Sequence, residues 1–150
     1  MNYKFDNNYI SKELFNSLKN YLYNNTDIIT KYNCKLTTNS MVSTYPQIVF
    51  TQDRINNISS TIKNELREKN IEMEINIYAI DKTINNQIID AQDILEDISN
   101  HIVYFLEKIC RIRNVDITTN LTNFDGKHTQ SEKTTIRFDI TWLQDYNIKI

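Results

Sequence analysis

Hydrophobic positions recur along this chain with two different periods, and the change of period marks the elements. From Ser11 to about Tyr23, Leu14, Phe15, Leu18, Tyr21 and Leu22 form one helical stripe, with Lys12, Glu13, Asn16, Lys19 and Asn20 opposite. The spacing predicts a first helix with Ser11 as its N-cap, Glu13 in its first turn, and Asn24-Asn25-Thr26-Asp27 as its stop. Ile28 to Tyr45 is rich in Thr, Ser and Asn and predicts an irregular or partly stranded connection. Tyr45-Pro46-Gln47-Ile48-Val49-Phe50-Thr51 predicts a short strand with its proline at the start. Gln52 to about Ile62 reads as a loop or a weak helix.

The alternation is cleanest from Ile71 to Ala79. Ile71, Met73, Ile75, Ile77 and Ala79 share one face; Glu72, Glu74, Asn76 and Tyr78 share the other. Such a strand belongs to a sheet covered on one face and open to water, or to a polar partner, on the other. A long helix follows from about Asn86 to Ile109. Its seam is Ile88, Ala91, Leu95, Ile98, Ile102, Phe105 and Ile109, flanked by Ile94 and Leu106. Acidic residues crowd its front half, and Lys108, Arg111 and Arg113 follow its end, an order that suits the helix dipole.

Two strands close the pattern. Val115, Ile117, Thr119 and Leu121 alternate with Asp116, Thr118, Asn120 and Thr122; Ile136, Phe138, Ile140 and Trp142 alternate with Thr135, Arg137, Asp139 and Thr141. Between them, Asp125-Gly126 is the strongest turn signal, inside a Phe124–Lys133 linker expected to project. The whole predicts one α+β domain over residues 1–150: a mostly antiparallel twisted sheet of about four strands, packed on one face by the long helix, plus an N-terminal helix.

Composition narrows the chemistry. Hydrophobic residues make up 40% and charged residues 24%, with a net charge of -2, so there is no general attraction to nucleic acid or anionic membrane. A single glycine excludes the P-loop, the GxGxxG turn and the GxSxG elbow, each of which needs several glycines close together. Cys34 and Cys110 form no CxxC and suggest reduced, buried or half-buried thiols. The N-terminus has no apolar h-region, and no stretch approaches the roughly 18 apolar residues that span a bilayer.

Candidate sites are few. His101 can meet Asp97 one turn back, but one helical histidine without a second ligand is a boundary residue, not a metal motif. His128 lies beside Lys127 in the projecting linker. Asp90, Asp93, Glu96 and Asp97 have the spacing of a solvated helix face, without the central glycine of an EF-hand loop. Nothing marks Cys34 as an activated nucleophile. Lys108, Arg111 and Arg113 form the only short basic cluster, and its neighbours Tyr104 and Phe105 are expected to pack instead of stacking on bases. The expectation is therefore a protein that is not an enzyme, with no catalytic residue, metal or cofactor.

Three phrases carry a family likeness. Tyr45-Pro46-Gln47-Ile48-Val49-Phe50-Thr51 looks like a "Phe/Tyr-Pro-x-Val" strand, and Met73-Glu74-Ile75-Asn76-Ile77-Tyr78-Ala79 like an "x-Ile-Asp-Ile-Tyr" strand, with a helix opening at Asp90-Ala91. The third is the final strand, Thr135 to Trp142. In this order the chain resembles the tail terminator and tail completion proteins of tailed bacteriophages, over most of Tyr45 to Trp142. It departs from them at Arg54 to Asn70, where family members often have a Gly-rich or basic connection.

The resemblance implies a self-associating ring, most often a hexamer, at the head-proximal end of the tail tube, ending tube growth and meeting the neck or connector. Its partners would be further copies of itself, tube and possibly sheath subunits, and neck proteins, with no membrane and no specific nucleic acid. It would be assembled in the bacterial host cytoplasm and carried in the virion tail. A head-completion or minor capsid subunit, or a small nucleic-acid-binding regulatory domain, is the alternative. The surfaces expected to make contacts are the outward face of the long strand (Glu72, Glu74, Tyr78), the Arg111 and Arg113 region, and the linker carrying Asp125, Lys127 and His128.

Overall fold

The computed structural model describes residues 7–38, 41–42, 44–60, 66–109, 112–123 and 130–145. Helix α1 runs Asn7–Asn25, longer at its start than the sequence predicts, so Ser11 lies inside the helix and is not its cap. The predicted stripe is correct: Leu14, Leu18 and Leu22 are buried, with Phe15 and Tyr21 packed half-buried beside them. The helix stops at the expected Asn-Asn-Thr-Asp, where the Thr26 hydroxyl donates to the Leu22 carbonyl at 2.6 Å.

The segment read as irregular contains two short elements, helix α2 (Ile28–Tyr32) and strand β1 (Lys35–Thr37). Five residues cannot hold a helix alone in water. Burial of Ile28, Ile29 and Tyr32 holds this one, and Asn33 ends it in the left-handed region at φ 53°. Lys82 reinforces that end, its ammonium donating to the Tyr32 carbonyl at 2.5 Å and to the Tyr45 carbonyl at 3.4 Å.

Strand β2 (Gln47–Ser60) begins just after Pro46, as expected, but continues through the stretch read as a loop or weak helix. Its partner explains this: β3 (Leu66–Ala79) pairs with it from Gln47↔Tyr78 to Ser60↔Arg67, with register shifts near Asp53 and Ile58. Pairing along the whole length overrides a weak local pattern.

The long helix, α3 (Ala91–Glu107), opens later than predicted. The preceding residues form a hairpin, β4 (Lys82–Ile84) and β5 (Gln87–Ile89), turned by Asn85 and Asn86 at φ 51° and 65°. Two successive left-handed residues are the demand of a tight primed turn, which asparagine meets at low cost. Ile88 accordingly lies on β5, 75% exposed, and not on the helix seam. Ala91, Ile94, Leu95, Ile98, Ile102 and Leu106 form the buried seam. Asp81 accepts the Ala91 N–H at 2.8 Å and caps the helix from outside.

The closing strands are β6 (Ile112–Asn123) and β7 (Gln130–Asp145). They pair from Asn123↔Gln130, so Gln130 to Lys133 are strand where the linker was expected; Asp125-Gly126 lies outside the described residues. Between Arg113↔Asp139 and Asp116↔Arg137 two residues oppose one, and Asn114 takes φ 57° at this bulge.

The main sheet has five strands in the order β1-β2-β3-β7-β6, antiparallel except for β1 against β2. The additional strand relative to the expected four is β1. The three helices contribute to one core cluster with Ile71, Met73, Ile75 and Ile77 of β3 and Ile136, Phe138 and Ile140 of β7, so the fold is α+β with a helix layer on one sheet face.

Candidate functional site

The other sheet face carries no described helix, and register fixes its rows. Glu74 lies between Thr51 and Arg137, and Arg137 in turn faces Asp116. One row along, Glu72 faces Asp139, which faces Arg113; at the other end Tyr78 faces Lys133. Four of the predicted contact residues, Glu72, Glu74, Tyr78 and Arg113, therefore share one surface. Arg111, Asp125, Lys127 and His128 lie outside the described residues.

The polar groups on this face are already ordered by one another. The Thr135 hydroxyl donates to Asn76 Oδ1 at 2.7 Å, Asn76 Nδ2 donates to Glu74 Oε2 at 3.2 Å, and Arg137 Nε donates to Glu74 Oε1 at 3.1 Å. The Thr51 hydroxyl donates to the Glu74 carbonyl, and Asn114 Nδ2 to Asp139 Oδ2 at 2.8 Å. The Lys133 ammonium lies 5.6 Å from the centre of the Tyr78 ring.

This face is not uniformly wet, as the alternation implied. Val49, Asn76 and Thr135 at its centre are buried, whereas Arg137, Asp116, Thr118 and Arg113 toward the β6 side are exposed. Asn76 can be buried because its carboxamide has partners on both sides.

Asp97 is a second junction. The acidic residues of α3 were expected to be a solvated face, and Asp93 and Glu96 are. Asp97, however, accepts the Tyr32 hydroxyl at 2.5 Å and lies 3.6 Å from the Lys31 ammonium, tying α2 to α3. His101 Nδ1 sits 2.8 Å from the Asp97 carbonyl oxygen and 3.4 Å from its carboxylate, so the i,i+4 pairing forms and Nδ1 carries the proton. Near it, Tyr21, Asn25, Asn100, His101 and Tyr104 line a shallow cleft of about 370 Å³. Phe105 packs on Tyr21 with ring centres 5.2 Å apart, but Tyr104 does not pack as expected: it is 54% exposed with the Lys108 ammonium 4.1 Å over its ring.

Besides Tyr32, two titratable groups among the described residues sit in the interior. Burial pushes the Cys34 thiol up to about 12, with the charge of Lys82 opposing only in part. A buried thiol held protonated is a poor nucleophile. Glu132 points from β7 toward the start of α3; burial, then the carboxylates of Asp81 and Asp90, raise its carboxyl above the ordinary value, and its Oε2 has no hydrogen-bond partner. Among the described residues no three or more His, Cys, Asp and Glu side chains are grouped to hold a metal ion, and no helix is long and apolar enough to cross a membrane.

Sequence reasoning placed Asn76 on this face but did not join Arg137 and Asp139 to it. The signal was present, since Arg137 and Asp139 alternate with buried Ile136 and Phe138; only the register puts them beside Glu74 and Glu72. No protein-family model matches the chain, and no curated protein matches it.

Proposed function

We propose that this chain is a structural subunit of a bacteriophage tail, or of a phage-tail-like particle, of the tail terminator kind. It would form a ring at the head-proximal end of the tail tube, end tube growth and join the tube to the neck. The observation that carries the reading is where the three family-like phrases fall. They lie on β2, β3 and β7, the three adjacent strands at the centre of the sheet, and Asp90-Ala91 is the point where α3 opens. The ordered polar face suits the same role, because groups fixed before contact lose less entropy on binding.

The test is electron microscopy of the tail-tube subunit of the same particle, polymerised with and without this protein. The expected outcome is rings at one tube end and tubes that stop growing when the protein is added early. Tubes of unchanged length with bare ends would overturn the reading.

A further inference from the structure

β6 is the last strand of the main sheet, and its outer edge meets no other described strand. Asp116, Ile117, Thr118 and Thr119 are all exposed, so this stretch is open on both faces. An edge of unpaired N–H and C=O groups is a template for another strand, and natural sheets blunt it with charges, prolines or bulges. Here the bulge at Asn114 falls just short of residues 115–119, and Asp116 is the single charge among them. The others are Val115, Ile117, Thr118 and Thr119, all β-branched residues that favour strands.

An apolar row ends at this edge. Phe50 pairs with Ile75, Ile75 with Ile136, and Ile136 with Ile117, all on the helix-side face. Phe50, Ile75 and Ile136 are buried, whereas Ile117 is 46% exposed. α3 does not cover it: Leu95 and Ser99 of the helix and Ile117 and Thr119 of β6 help line an open groove of about 360 Å³.

The stretch is complementary to itself. A two-fold axis through Ile117, perpendicular to the sheet, sets β6 of one copy antiparallel against β6 of another. Ile117 then faces Ile117 of the second copy, Asp116 faces its Thr118, and Val115 faces its Thr119. The axis keeps the helix-side faces together, so the apolar row continues through Ile75, Ile136 and Ile117 of each copy. Moving the axis to Asp116 would set two carboxylates against each other, and like charges directly opposite repel. Moving it to Thr118 would set Ile117 against a threonine and lose the isoleucine pair.

We infer that β6 pairs antiparallel with β6 of a second copy of this chain about a two-fold axis at Ile117, joining the two five-stranded sheets into one. The contact goes beyond the ring reading and does not rest on it. It is isologous: the same patch serves both copies, so it closes at two and leaves the β1 and β2 side of each out of contact.

The experiment is disulfide trapping in the full chain. Residues directly opposite across two strands are close enough to be joined by a disulfide. Ile117→Cys is made in a Cys110→Ala background, with buried Cys34 kept, and is oxidised with diamide. The expected product is a covalent dimer and nothing larger, absent from the background protein. Asp116→Cys and Thr118→Cys together are expected to give the same dimer, and each alone much less of it. A second variant, Ile117→Lys, would place two ammonium groups against each other. By light scattering over a dilution series it is expected to need a concentration roughly tenfold higher than the parent to dimerise, with the thermal midpoint of the dilute protein unchanged. No dimer from Ile117→Cys, multimers beyond the dimer, or dimers of Ile117→Lys at the parent's concentrations would overturn the pairing. Rings on tube ends without the cross-linked dimer would overturn the pairing alone, and the dimer beside bare tube ends would overturn the ring reading alone.

Discussion

Glu132 is the described side chain whose burial is least compensated. Its carboxyl is raised above the ordinary value of 4.5 by burial first and by Asp81 and Asp90 after, and one oxygen has no hydrogen-bond partner. The fold therefore favours the protonated form. The stability this contributes is fully present below the unfolded carboxylate value and is lost as pH rises through the folded one. Glu132→Gln removes the charge at similar size, so it is expected to stabilise the protein by about 1 kcal/mol at neutral pH, with no gain at pH 4. Urea unfolding across this range checks it; a constant difference at all pH values would show that charge is not the cause. Cys34 makes the opposite kind of prediction, of inertness. With its thiol buried and its pKa near 12, it should react with a water-soluble disulfide reagent only at the rate at which the chain opens, and fast in urea.

At the scale of elements, α2 depends most on others. Its five residues are held by three buried side chains and by Asp97, which reaches across from α3 to the Tyr32 hydroxyl and the Lys31 ammonium. Asp97→Ala leaves the Tyr32 hydroxyl without its acceptor and should cost about 1–3 kcal/mol. The loss should be local as well as global: amides of residues 29–34 should exchange faster in the variant while those of β3 keep their order of protection, as hydrogen exchange resolved by residue would show. The same junction marks the limit of what the sequence revealed. Elements whose faces differ strongly were legible: the α1 stripe, the two faces of β3 and the α3 seam each follow from spacing alone. Asp97 was read as one of four solvated acids because its partner, Tyr32, is 65 residues away in the chain. β5 was read as helix because Ile88 fits a three-and-four spacing by coincidence, and the Asn85-Asn86 turn outweighs that spacing. The candidate surface was half legible: alternation placed Glu72, Glu74 and Tyr78 together, but only pairing register adds Arg137 and Asp139.

At the scale of the whole molecule, the two faces of the sheet are covered differently. The helix-side face, with Leu14, Leu18 and Leu22 of α1 over it and Ile98, Ile102 and Leu106 of α3 beside them, is a continuous buried cluster. A core of this kind unfolds as one unit, so far- and near-ultraviolet circular dichroism should report the same transition. Leu22→Ala removes a fully buried side chain and should cost about 2–5 kcal/mol. It leaves the helix-free face untouched, so, on the proposed ring reading, it should assemble like the parent at low temperature, where the chain stays folded. Arg137→Ala is the reverse case. Its ion pair with Glu74 is exposed on the arginine side and should contribute no more than about 1 kcal/mol. It borders Asp116 on the exposed part of the helix-free face, so, on the proposed ring reading, its loss should weaken assembly severalfold. Unfolding curves and light scattering on the two variants test this division together. If Arg137→Ala lowered stability as far as Leu22→Ala and assembled normally, the polar network would be part of the scaffold, and the contact surface would have to lie elsewhere.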